Sequence, residues 1–133
     1  MKAKIDNTLF PIGFVRSTLR NLKDAPHQGY EGAPDAWVEI NSKYTEGLDG
    51  INVGDEIILI TWFHLSDRDV LKVHPQNNKR NPLTGVFATR SPDRPNPLGI
   101  HPVKVLEIQG NRLKVQPLEA IDGTPLIDIK PVI

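Results

Sequence analysis

Glu56-Ile57-Ile58-Leu59-Ile60-Thr61-Trp62-Phe63-His64 is the stretch that decides the fold. Its residues are β-branched or aromatic with almost no polar alternation, the pattern of a strand covered on both faces, and this predicts a central strand over 56–64. Its apolar run, Ile57 to Phe63, is broken only by Thr61 and is far shorter than the ~20 residues a membrane-spanning helix needs. Around it, 12 prolines and 10 glycines punctuate the chain, with short apolar runs between them. That punctuation favours many short strands over a helical bundle.

Working outward, Leu9 to Val15 reads as a first strand, with Gly13 marking a bulge or a close backbone approach. Trp37, Val38 and Ile40 predict a second, and Gly85 to Thr89 a shorter one. Val103 to Ile108, the turn pair Gly110-Asn111 and Leu113 to Gln116 form a hairpin. In its second arm Leu113 and Val115 face one way, and Arg112, Lys114 and Gln116 the other. Asp122-Gly123 is a further turn, and Ile127 and Ile129 open a last strand that stops at Pro131. Ser66 followed by Asp69 resembles a capping box and predicts a short helix over Asp67 to Val73, ended by Pro75. The expected fold class is mainly β: a small closed or nearly closed barrel of short antiparallel strands, since closure removes exposed edges.

With 133 residues, one domain over 1–133 is expected, burying roughly 68% of the unfolded chain's surface. There is no cysteine, hence no disulfide and no cysteine nucleophile. The N-terminal residues carry charge but no apolar signal core, so a cytoplasmic protein without membrane attachment is expected. Lysine plus arginine (16) balance aspartate plus glutamate (16), so the global field does not draw nucleic acid. From Asp67 to Arg94, however, six basic side chains face three acidic ones, a local excess of about three positive charges.

Three stretches are more polar and rigid than strand connections require. In Arg90-Ser91-Pro92-Asp93-Arg94-Pro95-Asn96-Pro97-Leu98-Gly99 three prolines fix the backbone, so the loop has little entropy left to lose on binding. Arg90 and Arg94 offer forked donors for a carboxylate or phosphate, or else pair with nearby acids. The second stretch, Leu118 to Pro125, continues into Asp128 and Lys130, which share one face of the last strand. The third is Ala25-Pro26-His27-Gln28-Gly29. The four histidines form no His-x-His or His-Glu-x-x-His pattern, so no metal site is expected. A glycine fingerprint for dinucleotides, a Walker loop and a Gly-x-Ser-x-Gly elbow are all lacking.

Three blocks resemble the TsaA-like (TrmO, or YaeB) family: Ile12-Gly13-Phe14-Val15-Arg16-Ser17, Gly85 to Gly99, and Asp122-Gly123-Thr124-Pro125-Leu126-Ile127-Asp128-Ile129-Lys130-Pro131. The resemblance covers nearly the whole chain and is to the family's short form, since longer members continue into a C-terminal domain. It implies a β-barrel, usually homodimeric, that binds S-adenosyl-L-methionine outside the Rossmann scheme and methylates the exocyclic nitrogen of threonylcarbamoyladenosine beside the tRNA anticodon. Carried over by position, the cofactor pocket draws on His27, Gln28, Gly29, His64, Leu65, Ser66, Arg90, Ser91, His101, Leu118, Glu119 and Ala120. Longer members have Pro-Arg-Gln where this chain has Pro26-His27-Gln28, and a tyrosine where it has Val132.

A base that accepts the acceptor's proton comes from Asp122, Asp128 or His101, in that order, while Arg90, Arg94, Asn96 and Lys130 hold substrate. Two alternatives stay open: methylation of another, small acceptor, and a cofactor-binding or RNA-binding barrel that catalyses nothing.

Overall fold

The computed structural model describes residues 6–19 and 34–133. Among these described residues eight strands follow one another: β1 (Gly13–Arg16), β2 (Ala36–Ile40), β3 (Glu56–Trp62), β4 (Lys72–Val73), β5 (Thr84–Gly85), β6 (Leu98–Gln109), β7 (Arg112–Gln116) and β8 (Pro125–Pro131). Six close into a barrel in the order β1-β2-β7-β6-β3-β8, every neighbour antiparallel. β4 and β5 make a separate two-stranded ribbon in the excursion between β3 and β6. Among the described residues no helix is long and apolar enough to cross a membrane.

The lumen of so narrow a barrel is filled by side chains. Alternate positions supply it: Val15 from β1, Val38 and Ile40 from β2, Ile57 and Leu59 from β3, Val103 and Val105 from β6, Leu113 and Val115 from β7, and Leu126 from β8. The hairpin of β6 and β7 and its wet outer face match the sequence pattern, with Gly110 in the left-handed region at φ 61°.

β3 lies between β6 and β8, as its composition predicts, but only one of its faces is fully buried. Ile58, Ile60 and Trp62 sit half-buried on the outside. Gly13 marks a close approach: a Cβ there would stand 2.1 Å from the Glu39 carbonyl oxygen across the β1–β2 pair.

Several expectations are corrected. The first strand begins at Gly13, not Leu9. No helix forms over Asp67–Val73; the Asp67 carboxylate instead accepts the Asp69 amide at 2.8 Å, a local turn that competes with helix, and Lys72–Val73 pairs as β4. Pro75 opens a 3-10 turn (Pro75–Asn77) and ends no helix. The strand expected over Gly85–Thr89 stops at Gly85 and tightens into a 3-10 turn, Val86–Ala88. The last strand begins at Pro125, not Ile127, and its register shifts between Ile60 and Thr61 of its partner, so that Leu126 and Ile129 pack on the core.

Candidate functional site

Strict antiparallel order sorts the connections. The ends of β1, β3 and β7 and the starts of β2, β6 and β8 meet at one rim of the barrel, so the connections 17–35, 63–97 and 117–124 all leave from it. The opposite rim carries 41–55 and the tight hairpin at 110–111. Of the described sequence-predicted site residues, His64, Leu65, Ser66, Arg90, Ser91, Arg94, Asn96, Leu118, Glu119, Ala120 and Asp122 lie in the connections of the first rim, and His101 points into the lumen just below it. His27, Gln28 and Gly29 lie outside the described residues.

The lumen is apolar except near this rim. There Thr61 of β3 faces His101 of β6, with Oγ1 and Nε2 2.7 Å apart. His101 Nδ1 lies 2.6 Å from Oε1 of Glu119. His101 is 1% exposed and the Glu119 side chain 14% exposed. The Phe63 ring packs edge-on to the imidazole with centroids 5.7 Å apart. Gly99, two residues from His101, leaves room for that ring: a Cβ there would fall 2.5 Å from Phe63 carbons and 2.7 Å from Thr61 Oγ1. Leu118 and Ala120, on either side of Glu119, are buried in the core, and the Leu118 amide donates to the Pro34 carbonyl at 3.1 Å.

The proline-rich loop is braced from within. Arg94 donates to the carbonyl oxygens of Thr89 (3.1 Å) and Ser91 (3.2 Å), so its guanidinium ties the loop to itself. Arg68 donates to the Pro95 carbonyl at 2.6 Å and to Asn96 Oδ1 at 3.1 Å while lying 5.1 Å from the Trp62 ring centroid. Asp93 accepts the Asp67 amide at 2.9 Å, which pins the loop to the segment after β3. Arg90 is exposed and, among the described residues, has no hydrogen-bond partner. It is the arginine of this loop presented outward.

Asp122 accepts the Ser17 amide on Oδ1 at 3.0 Å, and its own amide donates to the Leu19 carbonyl. The Gly123 amide donates to Val15 at the same corner, so the turn clamps the end of β1. Asp122 borders an open cleft of about 550 Å³ with Arg16, Ser17, Asp35, Trp37 and Lys114. The charges around it are paired: Lys114 with Asp35 at 3.4 Å and Arg16 with Glu39 at 3.8 Å, and Arg112 lies over the Trp37 ring at 4.5 Å. Asp128 and Lys130 are placed elsewhere, exposed on the outer wall of β8, where Asp128 accepts the Ile129 amide.

Sequence reasoning missed Thr61, Arg68 and the Trp37 cleft. Thr61 had one usable signal, as the single hydroxyl in an otherwise apolar run. Arg68 had none, because its partners lie 27 and 28 residues away. Among the described residues no group of three histidine, aspartate or glutamate side chains gathers at metal-binding distance.

A family model described as the tRNA-methyltransferase O N-terminal domain matches residues 14–133. A "Probable S-adenosyl-L-methionine-binding protein" of Pyrococcus horikoshii is 53% identical over 126 residues, covering 92% of this chain and 79% of that one. One of Methanothermobacter thermautotrophicus is 41% identical over 121 residues, covering 91% of this chain and 86% of its own. The crystal structure of TrmO from Pseudomonas aeruginosa is similar with a TM-score of 0.75 at 28% identity, over 98% of this chain. The matched region is 56% of that TrmO chain, so this sequence spans little more than half its length.

Proposed function

Because the chain belongs to the tRNA-methyltransferase O family, we propose that it transfers the methyl group of S-adenosyl-L-methionine to the exocyclic nitrogen of threonylcarbamoyladenosine in the tRNA anticodon loop, in the cytoplasm. The observation that carries this reading is that three connections leave from one rim of the barrel, where His101, buried in the lumen, pairs with the part-buried Glu119. The lining suits the cofactor: the Glu119 carboxylate complements its hydroxyl and ammonium donors, Arg90 its carboxylate, and the flat ring of His64 with the apolar side chain of Leu65 its adenine. The bound cofactor supplies an already activated methyl group.

What remains for the chain is alignment and a proton. Holding acceptor nitrogen, methyl carbon and sulfur in line can supply ~7–11 kcal/mol of the barrier. The acceptor nitrogen is poorly nucleophilic, so a base that takes its proton adds a factor of ~10² to 10⁴. Asp122 fits this role best, since it borders an open cleft. Asp128 lies on the outer wall, and both ring nitrogens of His101 are engaged within the protein. Arg90 holds the acceptor's carboxylate or phosphate where it does not hold the cofactor, Arg94 and Asn96 shape the loop beneath it, and Lys130 offers a more distant RNA contact.

The test is methyl incorporation from labelled cofactor into tRNA bearing or lacking the threonylcarbamoyl group. Incorporation confined to the modified tRNA is expected, with cofactor affinity by calorimetry weakened several-fold in Arg90→Ala. Labelling of neither tRNA overturns the assignment of the acceptor.

We also propose that two copies pair through the outer face of β3 and β6. Cross-strand pairs Ile58–Pro102, Ile60–Ile100 and Trp62–Leu98 line it, with Ile100 47% exposed. Asp128 and Lys130 border it on β8, opposite in sign and two residues apart, which a two-fold axis can set against each other. Sedimentation should find a dimer that Ile100→Lys dissociates; a monomeric parent protein refutes the pairing.

A further inference from the structure

The hydrogen-bond chain Thr61–His101–Glu119 asks for a purpose, because burying such groups gains little stability over an apolar core of the same shape. A carboxylate accepts, so His101 Nδ1 holds the proton toward Glu119 at 2.6 Å, and Nε2 meets the Thr61 hydroxyl at 2.7 Å. With both nitrogens engaged, Phe63 against the ring and 1% of the residue exposed, the imidazole reaches neither solvent nor substrate. Glu119 differs. It retains 14% exposure at the rim, and among the described residues only Oε1 has a partner. We propose that Thr61 and His101 are positioning residues: they hold Glu119 by one oxygen so that the other is presented, in a fixed orientation, to a hydroxyl or ammonium donor of the bound cofactor. This rests on the reading above that residues 118–120 meet the cofactor.

Thr61→Val keeps the side chain's shape and removes its hydroxyl; Thr61→Ser keeps the hydroxyl. Calorimetric titration with S-adenosyl-L-methionine should show affinity reduced by about 5-fold or more in Thr61→Val, as expected for one hydrogen bond lost from a charge-linked chain, and restored in Thr61→Ser. The ¹⁵N signals of the His101 ring should shift in Thr61→Val and return in Thr61→Ser, a readout that loosened packing alone does not produce. Glu119→Gln should weaken binding at least as much.

Titration with 5′-methylthioadenosine, which keeps the ribose but lacks the amino-acid end, separates the two donors. An equal loss for both ligands assigns the presented oxygen to a ribose hydroxyl, and a loss for the full cofactor alone assigns it to the ammonium. If the wild-type protein binds the cofactor and Thr61→Val binds it equally well despite a changed ring signal, the positioning role is overturned while the cofactor site stands. If the wild-type protein binds no cofactor, the reading of the site falls and the positioning role with it.

Discussion

The two rims of the barrel are built on opposite plans. At the far rim the connection 41–55 begins with a 3-10 helix, Ser42–Leu48, whose N-cap Asn41 accepts the Lys43 amide, and Tyr44, Leu48 and Ile51 pack against the core as a stopper. The hairpin there turns in two residues. At the site rim the connections are long, the lumen beneath them holds Thr61 and His101, and Thr124, which closes the connection 117–124, is the third fully buried polar residue among those described. Apolar closure at one end supplies the stability that lets the other end carry polar groups, rigid proline loops and an open cleft. Changes at the two rims should therefore separate activity from stability.

The largest separation is expected from Asp122→Asn. The amide retains an oxygen for the Ser17 amide, so the clamp on β1 and the barrel persist. What is lost is proton acceptance, and turnover should fall by ~10² to 10⁴ while cofactor affinity stays near that of the parent protein. Single-turnover methyl transfer with saturating cofactor and modified tRNA measures this directly. Full activity in the variant would remove the base from this corner and leave the site rim with a purely positional role.

How far the sequence announces each rim follows from the range of the interactions involved. The far hairpin and the long barrel strands were legible because their signals are local: period-two burial in Arg112–Gln116, the Gly110-Asn111 turn, the apolar run of β3; the 3-10 turn of the connection 41–55 carried no such signal. The excursion 63–97 was not, since its shape is set by contacts between distant residues. Asp67 meets Asp93, and Arg68 meets Pro95 and Asn96, which draws the chain out of the helix that Ser66 and Asp69 advertise. The family blocks pointed to most of the site rim, but Asp128 and Lys130 sit in the same block as Asp122 and end on the outer wall. Sequence adjacency in a strand does not put residues in one site. His101 and Glu119 emerged as cofactor residues from the resemblance alone; that they touch each other, with Thr61 beneath, is a product of barrel closure and register.

A smaller effect, confined to the far rim, is expected from Asn111→Ala. Asn111 joins the hairpin to β2 through two bonds: its side-chain amide donates to the Ile40 carbonyl at 2.5 Å, and its own carbonyl accepts the Ile40 amide at 2.8 Å. The substitution removes the first and leaves a partly buried carbonyl without its donor, at a cost of about 1–2 kcal/mol. Denaturant unfolding should record that loss as a lower midpoint with an unchanged slope, since the surface exposed on unfolding is the same. Cofactor affinity and turnover should remain those of the parent protein, because Asn111 belongs to the rim opposite His101 and Asp122. A drop in affinity beyond the stability loss would mean that the strands between the rims transmit strain, and the division of the barrel into a structural end and a functional end would have to be abandoned.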